Sequence, residues 1–404
     1  MARLARVRKR VGEWCAGCGA AVHPMFPAPV LFVDHAPACG GAEHCLLLLC
    51  EHLDRRRFIP HLACPPGDLA RAARATGTSV HELRLARLWG QPTALWRFAR
   101  GVAALVAIIR RARVALVHTH SVRASVYAAA AARLTGRPLV WHVHEILTSR
   151  LYTRALCRLA DVAIAVSTTA AAPLPCTRKV QVIYNGVQLA DFEGNRTAAA
   201  ARLRAAWGVP PGAVAVGQVA RLQAWKGQHD TIALAESVLQ RFPDTYFLIV
   251  GGDIFGDAKA YEEELRATVQ RRGLSARVIF TGQQSDIVAT LHALDILVHP
   301  SRNEPFGRVL IEAGAAGIPV VAYADGGVME AVVHEQTGLL ARPGDRSALA
   351  AALVRLLSDH ALARTLGAAA RERVRSRFDV QKLTREIEAT FERVMDPVTG
   401  RPQG

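Results

Sequence analysis

Short apolar runs bounded by turn residues alternate with helical stretches through most of this chain, and that alternation limits what it can become. Strands are expected at Pro29–Val33, Phe58–Ala63, Leu116–His118, Leu139–His142, Val162–Ser167 and Val180–Ile183, with helices filling the gaps, the first over Ala42–Leu53. A strand–helix–strand order with no tight hairpins implies a parallel sheet covered by helices on both faces. Asp191–Ala200 is polar and alanine-rich, without strand character, and reads as a linker. The alternation then restarts at Val214 and runs through Phe247–Val250, Val278–Phe280, Ile296–Val298 and Pro319–Val321. A chain of 404 residues suggests two or three domains, and the alternation divides into two similar Rossmann-like halves. Residues 1–28 read as a disordered basic leader, 29–190 as the first domain, 191–200 as the linker and 201–378 as the second domain. A final helix over 379–396 and a tail over 397–404 complete the division.

The stretch from Asn303 to Ala313 carries the strongest chemical signal. Glu304 precedes Pro305-Phe306-Gly307, and Glu312 lies in the apolar helical run that follows. Proline suits the first turn of a helix, so the helix is expected to begin near it. The backbone N–H groups of Phe306, Gly307 and Arg308 would then form an anion site at a helix N-terminus, flanked by two carboxylates able to accept sugar hydroxyls. Arg221 and Lys226 fall on the loop between a strand ending at Val219 and a helix over Asp230–Leu239. Ligands of open parallel sheets bind at such carboxyl ends, and two cations there would neutralise a pyrophosphate. Gly40-Gly41 follows the first strand and precedes a helix, which fits either a plain tight turn or a close approach of backbone to phosphates.

These segments, taken in order, resemble the retaining glycosyltransferases of family 4, which have the GT-B fold. The likeness runs from about Val30 to Met395. It is carried by Gly40-Gly41-Ala42-Glu43, Trp141-His142-Val143-His144-Glu145, Val182-Ile183-Tyr184-Asn185-Gly186-Val187 and Arg221…Lys226-Gly227. Glu304-Pro305-Phe306-Gly307…Glu312, Gly326-Gly327-Val328-Met329-Glu330 and Thr337-Gly338-Leu339-Leu340 complete it. Ala220 stands where the family often has glycine, and Tyr184 where it usually has proline. The resemblance implies transfer of a sugar from a nucleotide-sugar donor to a hydroxyl acceptor on a glycan, glycolipid or envelope precursor, with retention at the anomeric carbon. It also implies that the last helix crosses back over both domains. Arg221, Lys226, Glu304 and His144 are the expected catalytic residues. Gly41, Gly282, Gln283, Phe306, Gly307, Arg308 and Glu312 are expected at the donor, with Glu312 on the ribose, Glu304 on the sugar ring, and Gly326, Gly327 and Glu330 shaping the adjoining loop. Two other classes stay open: a sugar-nucleotide epimerase or hydrolase on the same fold, and a non-catalytic carbohydrate- or membrane-binding relative. The intact Arg221, Lys226, Glu304 and Glu312 speak against the latter.

No cofactor and no metal are expected. Asp295 falls inside an apolar strand rather than in an acidic pair at a strand end. The pairs His118/His120 and His142/His144 each share a strand face and could chelate, yet only Glu145 accompanies them, so His118, His120 and His142 read as packing or acceptor-side residues. Cys15 and Cys18 form one CxxC near His23 with no second pair, and read as idle thiols of the leader. The eight cysteines show no regular framework, which points to a reducing, cytoplasmic setting.

The net charge of +16 is one-sided: residues 1–200 hold 26 Lys and Arg against 11 Asp and Glu, whereas residues 201–404 hold 24 against 23. Such a basic half attracts anionic surfaces. Nucleic acid is not an expected partner, because aromatics are few and no binding motif occurs. Between Arg84 and Arg113, Leu88, Trp89, Leu95, Trp96, Phe98, Val102, Leu105, Ile108 and Ile109 alternate with arginines. That pattern fits either a helix lying on an anionic bilayer or a core helix with a solvated arginine face. The expected location is cytoplasmic, with attachment at the inner membrane face if that helix lies on the bilayer.

Overall fold

The computed structural model describes residues 27–87, 93–194, 196–253, 256 and 258–396. The basic leader with Cys15 and Cys18, the tail after Asp396 and the Leu88–Trp89 part of the arginine-flanked run lie outside them.

Two parallel sheets form the molecule. The first holds β1 (Ala28–Val33), β2 (Phe58–Cys64), β3 (Ser79–Glu82), β4 (Leu116–Thr119), β5 (Leu139–Val143), β6 (Val162–Ala165) and β7 (Val180–Val182), ordered β3-β2-β1-β4-β5-β6-β7. The second holds β8 (Val214–Val219), β9 (Thr245–Val250), β10 (Val278–Gly282), β11 (Ile296–His299), β12 (Val320–Tyr323) and β13 (Leu339–Ala341), ordered β10-β9-β8-β11-β12-β13. Both are doubly wound. The direction of winding reverses between β1 and β4 in one sheet and between β8 and β11 in the other. Ligands of such sheets sit outside the carboxyl ends of the strands at that reversal.

The expected strands form, and two unexpected ones appear at sheet edges. Ser79–Glu82 is polar and only partly covered, and Leu339–Ala341 is three residues long, so neither offers a sustained apolar run. The expected linker is corrected in its second half. The alanine-rich stretch forms a helix over Thr197–Ala206, whose Arg204 donates to Asp295 (2.7 Å) and to the Ala293 carbonyl (2.8 Å) of the second domain. Alanine is the best helix former, which explains why this segment is structured.

The Val380–Met395 helix leaves the second domain and packs on the first. Leu383, Ile387 and Phe391 are buried with Phe32, Phe58 and Leu46, each such side chain contributing about 1.5–3 kcal/mol on burial. Arg57 pairs with Glu388 (3.2 Å) and with Glu392. The helix over Ala94–Arg111 divides its apolar residues: Val102, Leu105 and Ile109 are buried in the core, whereas Leu95 (81%) and Trp96 (63%) face solvent. Among the described residues no helix is long and apolar enough to cross a membrane.

Two of the eight cysteines are paired in the fold. Cys157 and Cys176 are joined by a disulfide with Cα atoms 5.5 Å apart. Cys157 ends one helix and Cys176 lies in the loop that returns to β7, so the fold juxtaposes two residues that sequence spacing does not relate.

Candidate active site

Lys226 and Glu304 meet at the winding reversal of the second sheet. Lys226 follows β8 and Glu304 follows β11, the two strands that flank the reversal, and the Lys226 Nζ donates to Glu304 Oε2 at 2.7 Å. Gly227 makes this approach possible: its φ is +77°, and a Cβ there would stand 2.2 Å from the Pro300 carbonyl oxygen at the end of β11. His299 Nε2 lies 3.1 Å from the same Glu304 oxygen. Burial alone would raise the Glu304 carboxyl, but Lys226 and His299 together outweigh it and hold it at about 2. The same burial draws the Lys226 ammonium down against the pull of Glu304. Its Nζ also rests 4.0 Å from the centre of the Trp225 ring.

The helix after Glu304 starts later than its proline implies. It spans Arg308–Ala316 with Gly307 at its N-cap (φ +82°), so Pro305 lies in the preceding loop. Gly326 and Gly327 explain the loop's path, since a Cβ on either would lie 2.3 Å from the Glu304 or Pro305 carbonyl oxygen. Glu312 accepts from Arg308 Nε at 2.8 Å, and a second guanidinium nitrogen reaches the same oxygen. Both side chains are largely buried, and although burial opposes the Arg308 charge, Glu312 raises its pKa. The Phe306 ring points away from the cleft into the core, stacked on Tyr184 at 5.6 Å and edge-on to Phe378 at 5.7 Å. Only its backbone is available to a ligand.

The remaining expected residues lie at strand ends and helix starts of the two sheets. Arg221 lies half-buried on the loop after β8, and Gly282 (φ +69°) with the exposed Gln283 ends β10. The Gly252 position adjoins Gln283, a Cβ there standing 3.6 Å from the Gln283 nitrogen. Gly41 begins the Gly41–His52 helix, is exposed, and would place a Cβ in open space. No packing demand therefore requires glycine at this position. His144 follows β5, with Nε2 3.1 Å from His120 Nδ1, and burial lowers its pKa to about 4.

Several residues that sequence reasoning passed over belong to this region. Asp34 follows β1 directly and is fully buried; burial first, and then Glu43, push its carboxyl up to about 7. Glu43 is itself raised by burial, with backbone N–H groups and then Arg221 pulling it back. His35 Nδ1 is 2.6 Å from Ser121 Oγ across the winding reversal of the first sheet. A charged residue immediately after an apolar strand was the available signal for Asp34. Tyr184, noted in the sequence only for standing where the family usually has proline, joins the domains through its ring.

Glu330 lies in the short helix Val328–Ala331 that follows Gly326-Gly327. It reaches across to the first domain, accepting from the Thr168 and Thr169 backbone N–H groups at 2.9 and 3.1 Å. Ser167 Oγ donates to the Pro305 carbonyl at 2.5 Å beside it. These contacts hold the domains together next to the Glu304 loop.

Residues 39–191 match the family described as Glycosyltransferase Family 4, and residues 200–373 match the family described as Glycosyl transferases group 1. The lipopolysaccharide core biosynthesis mannosyltransferase LpsB of Rhizobium meliloti (strain 1021) is 30% identical over 325 residues, which cover 78% of this chain and 85% of that protein. The crystal structure of Anabaena Alr3699/HepE in complex with UDP-glucose aligns with a TM-score of 0.80 at 29% identity, over 90% of this chain and 98% of that one. Other relatives match over a smaller share. The D-inositol 3-phosphate glycosyltransferase of Corynebacterium urealyticum is 35% identical over 185 residues, 45% of this chain and 43% of its own length. The Mycobacterium tuberculosis glycogen synthase match, at 39% identity, spans 40% of this chain and 38% of its own length. With two winding reversals facing one cleft and a match running through both domains, this chain belongs to the group 1 glycosyltransferases of family 4, which have the GT-B fold.

Proposed function

We propose that this protein transfers a glycosyl group from a nucleoside-diphosphate sugar to a hydroxyl acceptor, with retention at the anomeric carbon and without a divalent cation at the phosphates. The Lys226–Glu304 contact at the β8/β11 reversal carries the reading. Cleavage of the glycosyl–phosphate bond leaves negative charge on the departing phosphate. Lys226, Arg221 and the N-terminus of the Arg308–Ala316 helix are placed at carboxyl strand ends where that charge would develop. Glu304 orients the ammonium before the donor arrives and, once the donor is bound, accepts from hydroxyls of the transferred sugar. Glu312, braced by Arg308, accepts from the ribose, and Gly41 admits the phosphates from the other domain. His144 faces the donor sugar. The leaving phosphate takes the acceptor proton, so no separate base is needed.

The metal-independent reading rests on how the acidic groups are used. Asp295 is committed to Arg204 and to the Ala215 N–H, both at 2.7 Å. Among the protein groups at these strand ends, cations meet the phosphate directly. The related mannosyltransferase LpsB acts in lipopolysaccharide core biosynthesis by its name, and HepE was crystallised with UDP-glucose. A uridine nucleotide donor and an envelope glycan or lipid-linked acceptor follow as the first candidates. The basic first domain, with exposed Leu95 and Trp96, would bring the enzyme to an anionic membrane surface on the cytoplasmic side.

The test is release of nucleoside diphosphate from a panel of nucleotide sugars, with and without glycan or lipid acceptors, followed by NMR of the product's anomeric configuration. Acceptor-dependent release and a retained configuration are expected. Equal release without acceptor would favour the hydrolase reading, and conversion of the nucleotide sugar to an epimer the epimerase reading. An inverted product would contradict retention.

A further inference from the structure

Four histidines gather on one face of the first sheet. Residues two apart on a strand share a face, so His118 lies with His120 and His142 with His144. β4 and β5 are neighbours with His118 level with Val140, and continuing that register sets His120 level with His142. The face is the one closed by the C-terminal helix: Phe391 stands edge-on to the His118 ring at 5.3 Å. One ring nitrogen from each of His118, His120 and His142 lies within 4.8 Å of the others.

All three rings are buried, at 0%, 2% and 6% exposure. Both nitrogens of His118, both of His142 and Nε2 of His120 have no hydrogen-bond partner among the described residues. A buried polar group left unsatisfied is destabilising, so a cluster of them is a poor way to fill an otherwise apolar layer. The one satisfied nitrogen is informative as well. His120 Nδ1 lies 3.1 Å from His144 Nε2. Donation of that N–H to His144 would fix the His120 tautomer and leave the lone pair on Nε2. Outer partners orient metal-bound histidines in this way.

We propose that His118, His120 and His142 bind one transition-metal cation of the Zn²⁺ class, with His144 as the positioning partner of His120. Three imidazoles without a carboxylate select such a cation over Mg²⁺ or Ca²⁺. Zinc–nitrogen bonds of about 2.1 Å place tetrahedral ligand nitrogens about 3.4 Å apart, so the rings close inward on binding. A small partly open pocket lined by His142, Cys45, Leu48, Tyr184 and Leu383 adjoins the His142 ring and gives that ring space to turn. The bound ion would tie the carboxyl ends of β4 and β5 together beneath the C-terminal helix, away from the phosphate cations, and set the orientation of His144 at the cleft.

The test uses the full chain carrying Cys15→Ser and Cys18→Ser, which removes the thiols of the leader. The protein is stripped with a chelator, loaded with zinc chloride and desalted; the metal is then counted and its shell read by zinc K-edge absorption. One zinc per chain with a nitrogen and oxygen shell containing three imidazoles is expected. His142→Gln should weaken zinc binding by tenfold or more, and His144→Phe by roughly 10–100-fold with the same three-imidazole shell. Should His142→Gln fail to fold, the spectrum of the loaded parent decides alone. Substoichiometric zinc in the folded protein, sulfur in the shell, or fewer than three imidazoles would overturn the proposal.

Discussion

Lys226 and Glu304 are 78 residues apart in sequence, yet their side chains meet at 2.7 Å in the crevice between two adjacent strands. The contact joins the two groups assigned to opposite ends of the donor, the cation for its phosphate and the carboxylate for its sugar. Replacing Lys226 with alanine removes the phosphate cation and leaves Glu304 buried without its main partner. Turnover should fall by about 10²–10³, equivalent to roughly 2.7–4 kcal/mol, with weaker donor binding. Steady-state kinetics within twofold of the parent would remove Lys226 from the phosphate clamp.

The low pKa of Glu304 makes part of the folding stability pH-dependent. A carboxyl ordinarily at 4.5 is held at about 2 in the folded state. Its contribution is complete above the ordinary value and is lost as the pH falls from there towards the folded value. The size is roughly 3 kcal/mol, from about 1.36 kcal/mol for each tenfold change in proton affinity between the unfolded and folded chain. Urea unfolding of parent and Glu304→Gln across that window should show a shallower acid dependence in the variant. Parallel curves would mean that Glu304 is not held down in the fold.

Glu312→Gln keeps the shape of the side chain but removes the charge that balances Arg308. A donor KM above that of the parent is expected, together with a stability loss of roughly 1.5–3 kcal/mol for the weakened charged hydrogen bond. Calorimetry of nucleoside diphosphate binding separates the two effects. Unchanged affinity with lowered stability would confine Glu312 to bracing the helix.

Glu330 holds the start of the short helix after β6 from the opposite domain. Glu330→Ala should cost about 1 kcal/mol, in the range of a lost helix cap, and should loosen the domains next to the Glu304 loop. Small-angle scattering of the variant should give a larger radius of gyration than the parent. An identical radius and identical donor KM would reduce this contact to a local cap.

Most of the sheet framework was legible because buried parallel strands are continuous apolar runs, and β1, β2, β5 and β9 carry that signal strongly. β3 and β13 escaped because edge position and shortness remove it. The Lys226 and Arg221 placements followed from loop position after a strand, and that of Glu304 from the proline ahead of a helix. The start of the Arg308–Ala316 helix did not, because the close approach of Gly326 and Gly327 keeps Glu304-Pro305 in an irregular loop. Glu330, Tyr184 and the Cys157–Cys176 bond depend on which surfaces meet after folding, which no local pattern records. The two histidine pairs were visible separately; their convergence required knowing that β4 and β5 are adjacent.

Membrane recruitment rests on the basic first half and on Leu95 and Trp96, which stand exposed at 81% and 63%. Each Lys or Arg near an anionic surface contributes about 1 kcal/mol, screened by salt. Cosedimentation with anionic vesicles at low salt should exceed that with neutral vesicles, and should fall at high salt and with Leu95→Asp/Trp96→Asp. Equally negligible pelleting with both vesicle types would favour a soluble acceptor.

The central claim, that the β8/β11 crevice binds the phosphates of a nucleotide sugar through Lys226, is tested most directly by thermal unfolding. Parent and Lys226→Ala are melted side by side against a panel of nucleotide sugars. A rise in Tm is expected for one nucleotide family in the parent, and a much smaller rise in the variant. No stabilisation by any nucleotide sugar, or an equal rise in both proteins, would contradict the claim.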